Sequence, residues 1–234
     1  MTKEDLKGDQ FVSFATVVLE WITKYRVQVL AAVAGLVVLV AAVETGSWWV
    51  ARKDAAASKL LFQALSLASG GEDGEKSADK TAALNEYRNL IAQYPSSDPS
   101  RLAQLQIASI LLSQSDNDGA IAAVDAYLKS ASEKETFYQM ALELKGYALM
   151  NKNDTKGAAD LFRKMIDAKR PIARDYALYD LAFALEKGGD KKGAAEALRR
   201  ITAEFPKSTL REKATAMANT LDPATPGDEA AAKK

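Results

Sequence analysis

Two patterns of apolar and polar positions divide the chain. From Val27 to Val43 there is no charge over 17 residues, and further on apolar residues recur every three or four positions. At 1.5 Å rise per residue the uncharged run covers roughly 25 Å, slightly less than a hydrocarbon core of about 30 Å. Glu44 to Val50 carry it to the far interface, where Trp48 and Trp49 have the character of an aromatic belt. Lys24 and Arg26 open the segment; Arg52 and Lys53 close it. This pattern predicts a transmembrane helix over residues 27–50. A cleaved leader would start nearer the N-terminus, with a shorter apolar region and without the paired Trp. A buried core helix is the other reading, but a run rich in Gly and Val that lacks polar positions makes a poor amphipathic element.

Ahead of the span, Phe11, Phe14, Val18, Trp21 and Tyr25 form one apolar stripe at helical spacing, with Gln10, Thr16, Glu20 and Lys24 among the polar positions. The expectation for residues 1–26 is an amphipathic helix lying at a membrane interface. Packing on a partner, or a plain extension of the anchor, would use the same stripe. Positive charges near the two ends of the span are almost balanced, so charge does not assign the side that carries the larger domain.

The second pattern is a repeat. Asp116-Asn117-Asp118-Gly119-Ala120-Ile121, Asp154-Thr155-Lys156-Gly157-Ala158-Ala159 and Asp190-Lys191-Lys192-Gly193-Ala194-Ala195 align without gaps, and Asp79-Lys80-Thr81-Ala82-Ala83-Leu84 is a weaker copy. The leading Asp residues are 37, 38 and 36 positions apart (79 to 116, 116 to 154, 154 to 190). Each copy predicts a helix-turn-helix in which the Asp caps the second helix. The small residues Gly119-Ala120, Gly157-Ala158 and Gly193-Ala194 are expected to admit close approach of the first helix. Large apolar residues follow at helical spacing: Val124 and Tyr127, Phe162 and Met165-Ile166, Leu198 and Ile201. Each pair has an apolar face that only a neighbouring pair can cover, so the units must stack. Residues 51–68 are expected to continue the span as helix, Leu210 to Leu221 to cap the stack, and residues 222–234 to form a frayed tail.

Composition narrows the chemistry. Lys plus Arg and Asp plus Glu number 31 each, so the basic surface of a nucleic-acid binder is not expected. The chain has neither Cys nor His, which removes disulfides, thiol nucleophiles, the commonest general base and the commonest metal ligand. No enzymatic activity, cofactor, metal or small-molecule substrate is expected. Gly70-Gly71-Glu72-Asp73-Gly74 lacks the ending of a phosphate loop, and Asp116-Asn117-Asp118 has too few ligands for a calcium loop. Both read as solvated loops.

The repeat resembles the tetratricopeptide repeat. The small residue of that family's first helix is matched by Ala108, Gly146 and Ala182, and that of its second helix by Ala120, Ala158 and Ala194. The apolar position four further on is matched by Val124, Phe162 and Leu198, and the closing proline by Pro95 and Pro206. The likeness covers about residues 79–221. Departures are the missing Trp at the start of the first helix, slightly long units, and a loop inside the first unit. The fold class implied is all-α: an N-terminal transmembrane helix followed by an α-solenoid of helix pairs over residues 51–221.

In such stacks the first helices line a concave surface. The matching positions are Leu102, Leu105, Met140, Glu143, Tyr147, Met150, Tyr176, Tyr179 and Phe183. They imply an apolar, aromatic groove for proteins or peptide segments, unless the capping helix covers them. The clamp for chaperone C-terminal carboxylates is not expected, because its Asn position holds Ser109, Tyr147 or Phe183. The whole arrangement is similar to the bacterial inner-membrane family that includes the ancillary subunit of the Sec translocon. That resemblance implies a periplasmic repeat domain, with translocon subunits, envelope chaperones and exported chains as partners. The alternative is a scaffold that positions an envelope assembly or division complex through one folded partner.

Overall fold

A computed structural model describes residues 26–70, 78–169 and 171–223, which are helical throughout apart from turns and short loops. The predicted interfacial segment, the acidic part of the loop near Gly70 and most of the predicted tail lie outside these residues. The chain divides into two units, residues 1–55 and 56–234. Helix α1 runs Arg26–Ser69, so the helix expected over residues 51–68 is present. Within the first unit Val38, Leu39 and Val40 are exposed, Thr45 hydroxyl donates to the Ala41 carbonyl at 2.7 Å, and the Arg52 guanidinium lies 5.3 Å from the centre of the Trp48 ring. Among the described residues no helix is long and apolar enough to cross a membrane. Most side chains of the predicted span lie outside those described.

In the second unit the chain folds back and forth as α2 (Lys80–Gln93), α3 (Asp98–Ser113), α4 (Asn117–Leu128), α5 (Tyr138–Asn151), α6 (Thr155–Ile166), α7 (Arg174–Lys187), α8 (Lys191–Glu204) and α9 (Arg211–Leu221). From α2 onward each helix packs on the next, and α3 also touches α5 directly. One turn recurs three times. The first helix ends in a left-handed residue, Ser115, Asn153 or Gly189. The following Asp amide donates back to the Leu111, Leu149 or Leu185 carbonyl at 2.9 Å. The same Asp turns its carboxylate forward and accepts from the Gly119, Gly157 or Gly193 amide at 3.0, 2.9 and 2.9 Å. Asp79 caps α2 likewise, accepting from the Ala82 amide at 2.9 Å. Each Asp thus closes one helix with its backbone and opens the next with its side chain.

Pro95 and Pro206 make a second kind of junction. Tyr94 and Phe205 end their helices at φ −133° and −128°, as residues before Pro must leave the helical region. The Ser97 and Ser208 amides then donate to the Tyr94 and Phe205 carbonyls, closing a turn around Pro95 and Pro206.

The core is built of small and large side chains in three clusters along the repeats, the last of them running from Leu142 to Ala218. Ala120, Ala158 and Ala194 are fully buried, as are Val124, Phe162 and Leu198 one turn on. Of the glycines beside those alanines, Gly119 does approach the first helix, since a methyl there would lie 3.0 Å from Leu111 Cδ1, but Gly157 and Gly193 do not. A methyl placed on Gly157 or Gly193 would meet the carboxylate of the capping Asp, not the neighbouring helix. In those two pairs the buried residue at the approach is the alanine, Ala158 or Ala194. Gly146 is different: a methyl there would lie 2.6 Å from the Phe162 ring. Where Val124 and Leu198 replace Phe162, the facing residue is Ala108 or Ala182, so the volume lost on one helix is regained on the other.

Candidate protein-binding groove

Helices α3, α5 and α7 are the first members of their pairs and carry the nine groove candidates. Their arrangement follows from the repeat: Met140, Glu143 and Tyr147 correspond to Tyr176, Tyr179 and Phe183, each 36 positions on. Tyr176 and Phe183 are seven residues apart, two turns on one face of α7, and are 50% and 49% exposed. Tyr147 is half-buried, its ring 6.0 Å from that of Phe162 with the planes tilted by 55°. Leu102, Met140 and Glu143 are also half-buried. These residues form the open part of the candidate surface.

Two of the nine are core instead. Leu105 is 1% exposed, packed with Ala108, Val124, Tyr127 and Ala141. The direct contact of α3 with α5 covers it. Met150 is 5% exposed because it turns into the seam with α7, where the Lys187 ammonium donates to its carbonyl at 2.6 Å. Tyr179 lies between these cases. Its ring packs on the last core cluster, its hydroxyl lies 3.6 Å from Met217 Sδ, and the Lys213 ammonium sits 4.9 Å from its ring centre. Helix α9 therefore covers part of Tyr179, as a capping helix would. Tyr176 is held at its tip by Thr209, 3.4 Å away.

At the centre of the surface is a polar cluster. The Tyr147 hydroxyl lies 2.9 Å from Glu143 Oε1 and 3.0 Å from Asp180 Oδ2, and can give its one proton to either. Burial, and then the charge of Glu143, push the Asp180 carboxyl up to about 6, while the Tyr147 hydroxyl pulls the other way. Burial and the two carboxylates raise the Tyr147 phenol well above its ordinary value. Asp180 was not among the residues singled out from the sequence. Its only sign there is an acid inside Leu178-Tyr179-Asp180-Leu181-Ala182-Phe183, at a position that faces the preceding helix pair.

Several acidic groups at other seams are paired with cations. Lys145 pairs with Asp125 at 2.6 Å, Arg101 with Glu135 at 2.9 Å, Lys164 with Glu133 at 2.9 Å, and Arg199 with Asp222 at 2.9 Å. Lys152 also pairs with Asp118. Lys145 and Asp125 tie α5 to α4, while Arg101, Lys164 and Arg199 hold acids of the 129–137 loop and of the segment after α9. A small dent between α6 and α7, lined by Thr155, Lys156, Arg163 and Asp190, sets two cations near an Asp already used as a helix cap. It offers no pairing of nucleophile and base.

Residues 75–184 match the family model of a tetratricopeptide repeat-like domain, and residues 176–208 match that of a tetratricopeptide repeat. No curated protein is detectably similar to the chain.

Proposed function

Residues 75–208 are tetratricopeptide-repeat-like, a class of domain that generally mediates protein–protein interaction and is typically not enzymatic, and from that premise we propose that this chain is a membrane-anchored protein-binding module. The observation that carries the binding part is the open aromatic face of α5 and α7, with Tyr147, Tyr176 and Phe183 presented together. Aromatic side chains supply large contact area at low entropic cost. An anchor over residues 27–50 is supported by the uncharged run from Val27 to Val43 and by its basic and Trp-bearing flanks. Residues 1–26 then form the interfacial segment, 51–221 the repeat domain and 222–234 the tail.

The biological setting follows the family resemblance: a bacterial inner membrane, the repeat domain on the periplasmic side, and a role in handing over exported proteins near the Sec translocon. The partners on this reading are exported chains, envelope chaperones and translocon subunits. A scaffold for one folded partner is the second reading, and the half-buried, hydrogen-bonded state of Tyr147 favours it, since a pre-formed surface suits a fixed shape.

In-cell photo-crosslinking from position 183 tests the two. Adducts with many exported chains, or with translocon subunits and envelope chaperones, support the handover role. One folded protein as the single adduct supports the scaffold. Extraction of membranes at alkaline pH tests the anchor: the full chain should stay with the membrane, and a chain lacking residues 27–50 should not.

A further inference from the structure

Glu143 and Asp180 stand on facing helices of the open surface, and among the described residues neither has a cationic partner. Both point at the same phenol. With both carboxylates ionised, the single Tyr147 proton satisfies one of them, and the other holds lone pairs toward a neighbouring oxygen. Tyr147 and Phe183 occupy equivalent positions of adjacent repeats, on the two helices that carry Glu143 and Asp180. Two acids, an orphaned acceptor and flanking aromatic faces are what a guanidinium or ammonium group needs: it donates several hydrogen bonds, neutralises the pair and stacks on the rings.

We propose that this surface binds a peptide segment through a Lys or Arg side chain seated between Glu143 and Asp180, with apolar residues of the same segment against Tyr176 and Phe183. The proposal rests on the reading of α5 and α7 as a peptide-binding face and names the chemistry that face selects. Charge complementarity identifies the occupant. A wholly apolar segment would leave the two carboxylates without a counter-charge under a dry interface, and an acidic one would add a third negative charge. The charged and titratable groups that act on Asp180 are Glu143 and Tyr147, both from α5. A seated cation favours the ionised form of Asp180, so binding strengthens as pH rises through about 6.

The test is fluorescence anisotropy with the full-length chain in lipid nanodiscs and labelled decapeptides holding one Arg between Leu and Phe residues. A second peptide carries citrulline in place of Arg, which keeps the shape and loses the charge. The Arg peptide should bind about tenfold or more tightly than the citrulline peptide. Asp180→Asn and Glu143→Gln, both close in shape to the originals, should bring the Arg peptide down to the affinity of the citrulline peptide and abolish the difference between them. Equal binding of the two peptides, with Phe183→Ala weakening both, would overturn the basic-residue proposal and leave the groove reading standing. No binding of either peptide would overturn both.

Discussion

At the scale of single residues, the most informative contrast is between glycines that look alike in the sequence. Gly146 faces the Phe162 ring, and a methyl group there has no room unless the ring or α5 moves. Gly146→Ala should destabilise the repeat domain by about 1–3 kcal/mol in urea unfolding. Gly157 meets only the flexible carboxylate of its own cap, and the first hairpin already carries Ala82 at that place with its cap bond intact. Gly157→Ala should be neutral or stabilising by up to about 1 kcal/mol, since Ala is the better helix former. Ser115 gives a third case, because it holds φ 64° where the equivalent turns use Asn153 and Gly189. Ser115→Gly should raise stability by about 1 kcal/mol, read as a higher thermal midpoint. Asp180 supplies the pH dependence. Its folded pKa of about 6 exceeds the ordinary 3.8, so the folded state binds the proton more tightly than the unfolded state does. Its contribution is therefore most favourable below about 3.8 and is lost as pH rises toward about 6, above which the penalty is constant. Asp180→Asn should remove that slope and stabilise the domain at neutral pH by roughly 1 kcal/mol, reduced by the group's partial exposure.

At the scale of elements, the hairpins were legible because their signals are local. An Asp cap, a small buried residue and an aromatic or aliphatic residue four positions on are all set by helix geometry, so α2, α4, α6 and α8 could be placed from spacing alone. The groove was less legible for a physical reason. Repeat register says which side of a helix faces a ligand, but how far neighbouring helices close over that side depends on their contact. Leu105 lies under α5 and Met150 in the seam with α7, although both occupy groove positions by register. Asp180 was missed because its meaning comes from Tyr147, 33 residues earlier, and no local pattern joins the two. Helix α9 has its own expected outcome. It buries Ala214 and Ala218 and covers part of Tyr179, so a chain ending at residue 209 should unfold at lower urea and bind a hydrophobic dye.

At the scale of the molecule, the helical unit from residue 56 onward has its contacts concentrated between consecutive helices. The three recurrent Asp turns make the contacts of α3 with α4, α5 with α6 and α7 with α8 near in sequence as well. A turn that ends one helix and starts the next with the same residue needs nothing from distant parts of the chain. Hairpins of this kind can close within microseconds, long before a ribosome adding about 5–20 residues per second supplies the following pair. The domain is thus suited to assembling in vectorial order, each pair waiting only for its neighbour's apolar face.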